Sequence, residues 1–116
     1  MLTRTFFARA PLNPGRFAPL PAGAITARGA LRDHLLALRG GLLSRCASVF
    51  PHTGAGSVWF GGDLLGGMDA ANVLEASLLT SALLGDEELR RESLRLVWAV
   101  VDGQREDGSF GAENEA

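Results

Sequence analysis

From Gly29 onward, Leu31, Leu35, Leu38 and Leu42 recur at steps of three and four residues while Arg32, Asp33 and Arg39 fall on the other side. That spacing lays one apolar stripe along a helix and predicts a first helix with one buried face. Thr26 is placed to cap its start, and Gly40-Gly41 weakens its end. A second helix is predicted over about Asp69 to Leu84, with Val73, Leu74, Leu78, Leu79, Leu83 and Leu84 pointing in nearly every direction around its wheel. A helix apolar on all sides is expected to be buried on all sides. Glu75 falls inside the broadest apolar arc of that wheel, so it is expected to find a partner, to be protonated, or to face a polar cavity. Asp69 sits at the expected N-terminus, where a carboxylate meets unpaired amides.

Gly85-Asp86 predicts a minimal turn, with Asp86 capping a third helix that runs to about Arg105. So short a connection makes the second and third helices antiparallel neighbours. Leu89, Leu96, Val97, Val100 and Val101 form the predicted buried face of the third helix. On its opposite side lie Arg91, Arg95 and Asp102, with Glu87 and Glu88 placed to pair with Arg91. Trp98 borders the polar sector, a position that makes sense if another helix packs there. The expectation is an all-α fold with part of its core missing.

The segments outside these helices carry different signals. Pro11, Pro14, Pro19 and Pro21, interleaved with Gly15 and Gly23, predict an extended leader over residues 1–25, ahead of a helical domain over 26–116. Between Phe50 and Gly67, the glycines at 54, 56, 61, 62, 66 and 67 predict a loop without regular structure. Trp59 and Phe60 lie in its middle and read either as an anchor into the core or as a platform on which a sugar ring stacks.

Composition narrows the function classes. The 116 residues are 47% apolar and 21% charged with a net charge of -2, which suits a globular chain and gives no basic surface for nucleic acid. All 11 positive charges are arginine, so a P-loop, a Schiff base and a lysine nucleophile are excluded. Glycines in the 54–67 loop follow no strand and precede no lysine, which removes a nucleotide-binding reading. The single Cys46 has no second thiol and reads as a packing residue. His34 and His52 lack the spacing of a metal-binding pair, and Glu106 and Asp107 stand in a turn-forming context. No cofactor and no metal are expected in this segment. No signal-peptide pattern or membrane-length apolar run is present, so a cytoplasmic location without membrane association is expected.

Several short segments, in order, carry a resemblance. These are Leu20-Pro21-Ala22-Gly23-Ala24-Ile25 followed by Arg28-Gly29 and Leu31-Arg32-Asp33, then Trp59-Phe60-Gly61-Gly62, then Leu84-Gly85-Asp86-Glu87-Glu88-Leu89, and finally Gln104, Asp107-Gly108 and Phe110-Gly111. Over about Leu20 to Asn114 the chain resembles the N-terminal segment of the β-L-arabinofuranosidase-type glycoside hydrolases, which are built on an (α/α)6 barrel. The resemblance implies an incomplete part of such a barrel, inactive alone, from a protein acting on arabinofuranosides or related plant or microbial glycans. Where the family has an aromatic-rich, arginine-bearing start to the second helix, this chain has Gly67-Met68-Asp69-Ala70-Ala71-Asn72-Val73, with an acid kept at Glu75. The glutamate acid/base of the family, and its cysteine nucleophile beside a cysteine-held zinc, come from later parts of the barrel. None of them maps onto this chain, so no catalytic residue is assigned. Glu75, Asp69 and Trp59 remain the candidate sugar-contacting residues, with carbohydrate as the partner once the barrel is complete. The alternative is a small all-α module without catalysis that associates with itself or with a partner through its apolar helix faces.

Overall fold

A computed structural model describes residues 10–13 and 16–111. Residues 1–9 of the leader, its Pro14 and Gly15, and the end of the resemblance at Asn114 lie outside the described residues. The fold is all-α: α1 spans Gly29–Leu38, α2 Ser44–Val49, α3 Gly67–Leu84 and α4 Glu87–Asp102. Among the described residues the only bridge of β type is an isolated one between Ser57 and Leu64.

The first helix does not stop at Gly40-Gly41. Residues Arg39–Leu43 form one wide π-type turn that carries the chain directly from α1 into α2. Within this widened turn Ser44 donates its hydroxyl to the Gly40 carbonyl at 2.9 Å. The cap expected from Thr26 is also absent: Arg28 holds the N-cap position in extended conformation with no side-chain cap. Ala27, buried, instead donates its amide to the Leu83 carbonyl at 2.8 Å, tying the end of the leader to the end of α3. The described part of the leader covers little else, with Phe17 93% and Leu20 67% exposed.

The glycine-rich loop is more ordered than its composition suggests. Pro51–Thr53 and Val58–Phe60 each make a 3-10 turn. Val58 donates to the Leu64 carbonyl at 3.0 Å and Leu64 to the Gly56 carbonyl at 2.9 Å, closing the loop on itself. Gly62 packs so tightly against the Gly56 carbonyl that a Cβ there would overlap it.

The αα-hairpin forms as the turn predicts. Gly85 ends α3 in the left-handed conformation at φ 67, and the Asp86 carboxylate accepts from the Leu89 amide at 2.8 Å. What the hairpin buries differs from expectation. The buried positions of α3 are the small residues Ala70, Ser77, Thr80 and Ser81, and on α4 they are Leu89 and Ser93. The serine hydroxyls are satisfied within their own helices: Ser77 donates to Val73, Ser81 to Leu78 and Ser93 to Leu89, all at 2.7–2.8 Å. Small side chains let neighbouring backbones approach closely, which a wheel scored for hydrophobicity does not register.

The larger apolar residues consequently stay uncovered. Among the described residues Leu89 is the only large aliphatic side chain classed as buried, while Leu79 is 56%, Trp98 60% and Val101 50% exposed. The molecule measures 45 × 43 × 20 Å, and its thin dimension accommodates two helix diameters and no third layer. The α3 helix is therefore not buried all round, and Glu75 is exposed. The apolar arc that was expected to enclose Glu75 exists, but no described segment lies over it.

Charge pairs also depart from the predicted set. Arg90 pairs with Glu87 at 3.3 Å and Arg95 with Glu92 at 2.7 Å, whereas Glu88 meets Arg39 at 3.3 Å. Arg91 is in none of these ion pairs. The predicted Glu87/Glu88–Arg91 pairing fails because Arg90, three residues after Glu87, is the arginine that reaches it.

Candidate functional site

Antiparallel packing of α3 against α4 leaves an open apolar trough of about 400 Å³. On the α3 side its wall includes Ala71, Leu74, Leu78 and Leu79, and on the α4 side Val97, Val100 and Val101. Trp59 from the glycine-rich loop and Phe110 from the segment after α4 complete the wall. Their rings meet edge to face, with centroids 5.3 Å apart and planes at 87°. Glu75 is the single ionisable residue in the lining.

Two turns hold this arrangement in place. Ser57, fully buried, accepts the Trp59 amide at 3.3 Å and starts the 3-10 turn that carries the indole. After α4, Asp107 accepts from the Ser109 amide at 2.9 Å and from its hydroxyl at 2.6 Å. These two donors hold the Asp107 carboxyl below the usual carboxylate range. Gln104 donates to the Gly108 carbonyl, and Arg105 donates to the Ser109 hydroxyl and the Gly111 carbonyl. The Gln104–Gly111 segment is thereby folded into a compact turn that presents Phe110 to Trp59.

Of the three sequence-derived site residues, Trp59 and Glu75 line the same trough and Asp69 does not. Asp69 instead approaches the His52 ring, Oδ2 to Nε2 at 3.3 Å, near the start of α3. Trp59 is half-buried, so part of its ring stays accessible beside the trough it lines. Phe110 belongs with these residues, although in the sequence it stands out only within the Phe110-Gly111 segment of the resemblance. No periodicity could have linked it to Trp59, since both lie in turns.

Hydrolysis of a glycoside ordinarily needs two carboxyl groups flanking the bond, and the trough lining supplies one. Cys46 is buried and accepts from the Thr53 hydroxyl at 3.4 Å. As the chain's single thiol it does not fit a zinc held by several cysteines. Among the described residues no group of three His, Cys, Asp or Glu side chains is placed to hold a metal ion, and no helix is long and apolar enough to cross a membrane. Compared with protein-family models, with curated proteins and with solved structures, the sequence and its fold match none.

Proposed function

We propose that the chain is the N-terminal, non-catalytic part of a glycoside hydrolase-like helical barrel acting on arabinofuranosides or related glycans. The observation that supports this reading most is the open trough: a helical hairpin leaves a long apolar wall bare and carries Trp59 and Glu75 along it. Successive helical hairpins of an α/α barrel cover one another's faces in this way. On that reading the trough is an interior surface awaiting its next helices. Trp59 offers a ring for sugar stacking and Glu75 a carboxylate for sugar hydroxyls, while acid/base and nucleophile come from later barrel segments.

The test is reconstitution. The 116-residue chain is co-expressed with polypeptides encoded beside it, the product is sized, and hydrolysis of aryl arabinofuranosides is assayed. The chain alone is expected to be inactive and the joined assembly active. A joined assembly without glycosidase activity on any arabinofuranoside, or neighbouring reading frames that encode no helical barrel, would defeat the proposal.

A second reading rests on Leu79, Trp98 and Val101, each at least half exposed. A non-catalytic module that buries these side chains against a protein partner accounts for them equally well. Sizing of the purified chain separates the two, because a self-sufficient module forms one defined species.

A further inference from the structure

We infer that α1 is a hinged arm: it opens from the α3–α4 hairpin as one unit, pivots at the π-type turn Arg39–Leu43, and is latched shut by Arg39 on Asp86 and Glu88. This goes beyond the proposed function and does not depend on it.

The arm is clasped at its two ends and held lightly between them. It rests on α3, yet no residue of α1 (Gly29–Leu38) is buried, and Leu31 and Leu36 stay exposed. Ahead of it, the Ala27 amide donates to the Leu83 carbonyl at 2.8 Å. Behind it, Arg39 donates from Nε to Asp86 at 2.9 Å and from Nη2 to Glu88 at 3.3 Å. Beyond the π-type turn the chain is firmly placed, since Cys46 of α2 is buried and accepts from the buried Thr53 hydroxyl. The boundary between the lightly held and the firmly held chain therefore falls within Arg39–Leu43. A helix as short as α1, at 10 residues, is marginal in water by itself. Once both clasps release, α1 loses its structure while the hairpin keeps its own.

The pivot is made of residues that suit one. Gly40 and Gly41 are not at positive φ, and a Cβ at either would meet nothing within 4 Å. Close approach and a left-handed turn, the two demands that call for glycine, are both absent there. What the pair contributes is a backbone free to swing, at a point where the regular helical ladder is already interrupted. The latch, in turn, is ionic, with Arg39 and Asp86 partly exposed and Glu88 fully so, which makes it sensitive to salt.

Residue-resolved amide hydrogen exchange on the full chain tests this, with thiol labelling of Cys46, the single cysteine, reporting on α2. The hydrogen-bonded amides of α1 and the Ala27 amide are expected to exchange through one common opening, faster than amides in the middle of α3 and α4. Raising sodium chloride from about 50 mM to about 1 M should speed that opening about two- to fivefold. Arg39→Gln, which leaves Asp86 capping α4, should reach the faster rate in low salt and remove the salt response, with α3, α4 and Cys46 labelling unchanged. Gly40→Ala combined with Gly41→Ala, for which there is room, should slow exchange in α1 severalfold. The inference is overturned by α1 amides that exchange only together with the hairpin, or by rates that rise step by step towards Gly29 as in simple fraying. A salt response that survives Arg39→Gln, Cys46 labelling that rises with α1 exchange, or an α1 rate unmoved by the two alanines would overturn it equally.

Discussion

Arg39 and Asp86 join the first helix to the hairpin: the guanidinium Nε donates to one carboxylate oxygen at 2.9 Å, and the other oxygen accepts the Leu89 amide at 2.8 Å. One carboxylate thus starts α4 and fastens the π-type turn of the first helix onto it. Loss of an N-cap costs about 1 kcal/mol, and a partly exposed pair adds at most about 1 kcal/mol. Asp86→Ala is expected to lower stability by about 1–2 kcal/mol. Asp86→Asn, which keeps an acceptor for the amide, should lower it by less than half as much. Urea denaturation followed by far-ultraviolet circular dichroism measures both.

Acid should act on the same residue. The Leu89 amide first and the Arg39 guanidinium second hold the Asp86 carboxyl below its ordinary value. A carboxyl with a lowered folded-state pKa contributes stability that is fully present above the unfolded value, about 3.9. That contribution is lost as pH falls through the lower folded value. Glu92 is lowered too, by its hydrogen bond with Arg95, but both side chains are more than half exposed and contribute little. Melting temperature followed from neutral pH down to about 2 should therefore fall less steeply in Asp86→Asn than in the native chain. Parallel curves for the two proteins would show that Asp86 does not link folding to protonation.

The small-residue stripe of α3 yields an opposite pair of expectations. Ser81 is 2% exposed and its hydroxyl already bonds to its own helix. Ser81→Ala should change stability by less than about 1 kcal/mol, while Ser81→Leu should cost about 1–3 kcal/mol through overpacking. Leu79→Ser, at a position 56% exposed, should be nearly neutral for stability and should reduce binding of an apolar dye. Equilibrium unfolding and dye fluorescence on the three variants decide this. A large loss in Leu79→Ser would mean that the apolar face is covered.

These contrasts mark where the sequence was legible. Turn chemistry carried the hairpin, because Gly85 and Asp86 each perform a local task that needs no knowledge of the rest of the fold. Trp98, whose place beside the polar sector of α4 suggests a helix packed against it, is 60% exposed with no described helix over it. Helical periodicity, by contrast, tells which residues share a face and not whether anything lies over that face. Glu75 was expected to be enclosed for that reason, and the buried stripe of α3 was missed because it is made of alanine, serine and threonine. The continuity of α1 into α2 was hidden by Gly40-Gly41, which reads as an end but here forms a wide turn. Trp59 and Glu75 were found separately, and only the packing of α3 on α4 brought them to one trough.

Gly111 backs directly onto Trp59, one of the residues lining that trough. Its φ is 83, and a Cβ added there would sit 3.0 Å from the indole ring. Gly111→Ala combines a strained left-handed backbone with a collision, and should detach the Gln104–Gly111 turn from the indole at a cost of about 1–2 kcal/mol. Trp59 emission is expected to shift to the red as Phe110 leaves it. Measuring this in a Trp98→Phe background, where one indole remains, makes the assignment direct. An unchanged spectrum would mean that the edge-to-face pair survives, and that Phe110 reaches Trp59 by its own packing and not through Gly111.

Glu75 supplies a sharp test of the exposed apolar wall of α3 and α4. A buried, structurally satisfied acid would lose several kcal/mol on replacement by leucine, but an exposed one is worth within about 0.5 kcal/mol in either direction. Glu75→Gln and Glu75→Leu should both leave the unfolding midpoint of the isolated chain nearly unchanged. Self-association should respond differently. Glu75→Leu adds an apolar side chain beside a trough whose wall is already apolar, which enlarges the surface available for association. Sedimentation velocity is expected to show a larger species for Glu75→Leu than for the native chain, with Glu75→Gln between them. If all three sediment alike while their stabilities diverge, Glu75 is held by the fold itself, and the apolar wall of α3 and α4 is already covered within the chain.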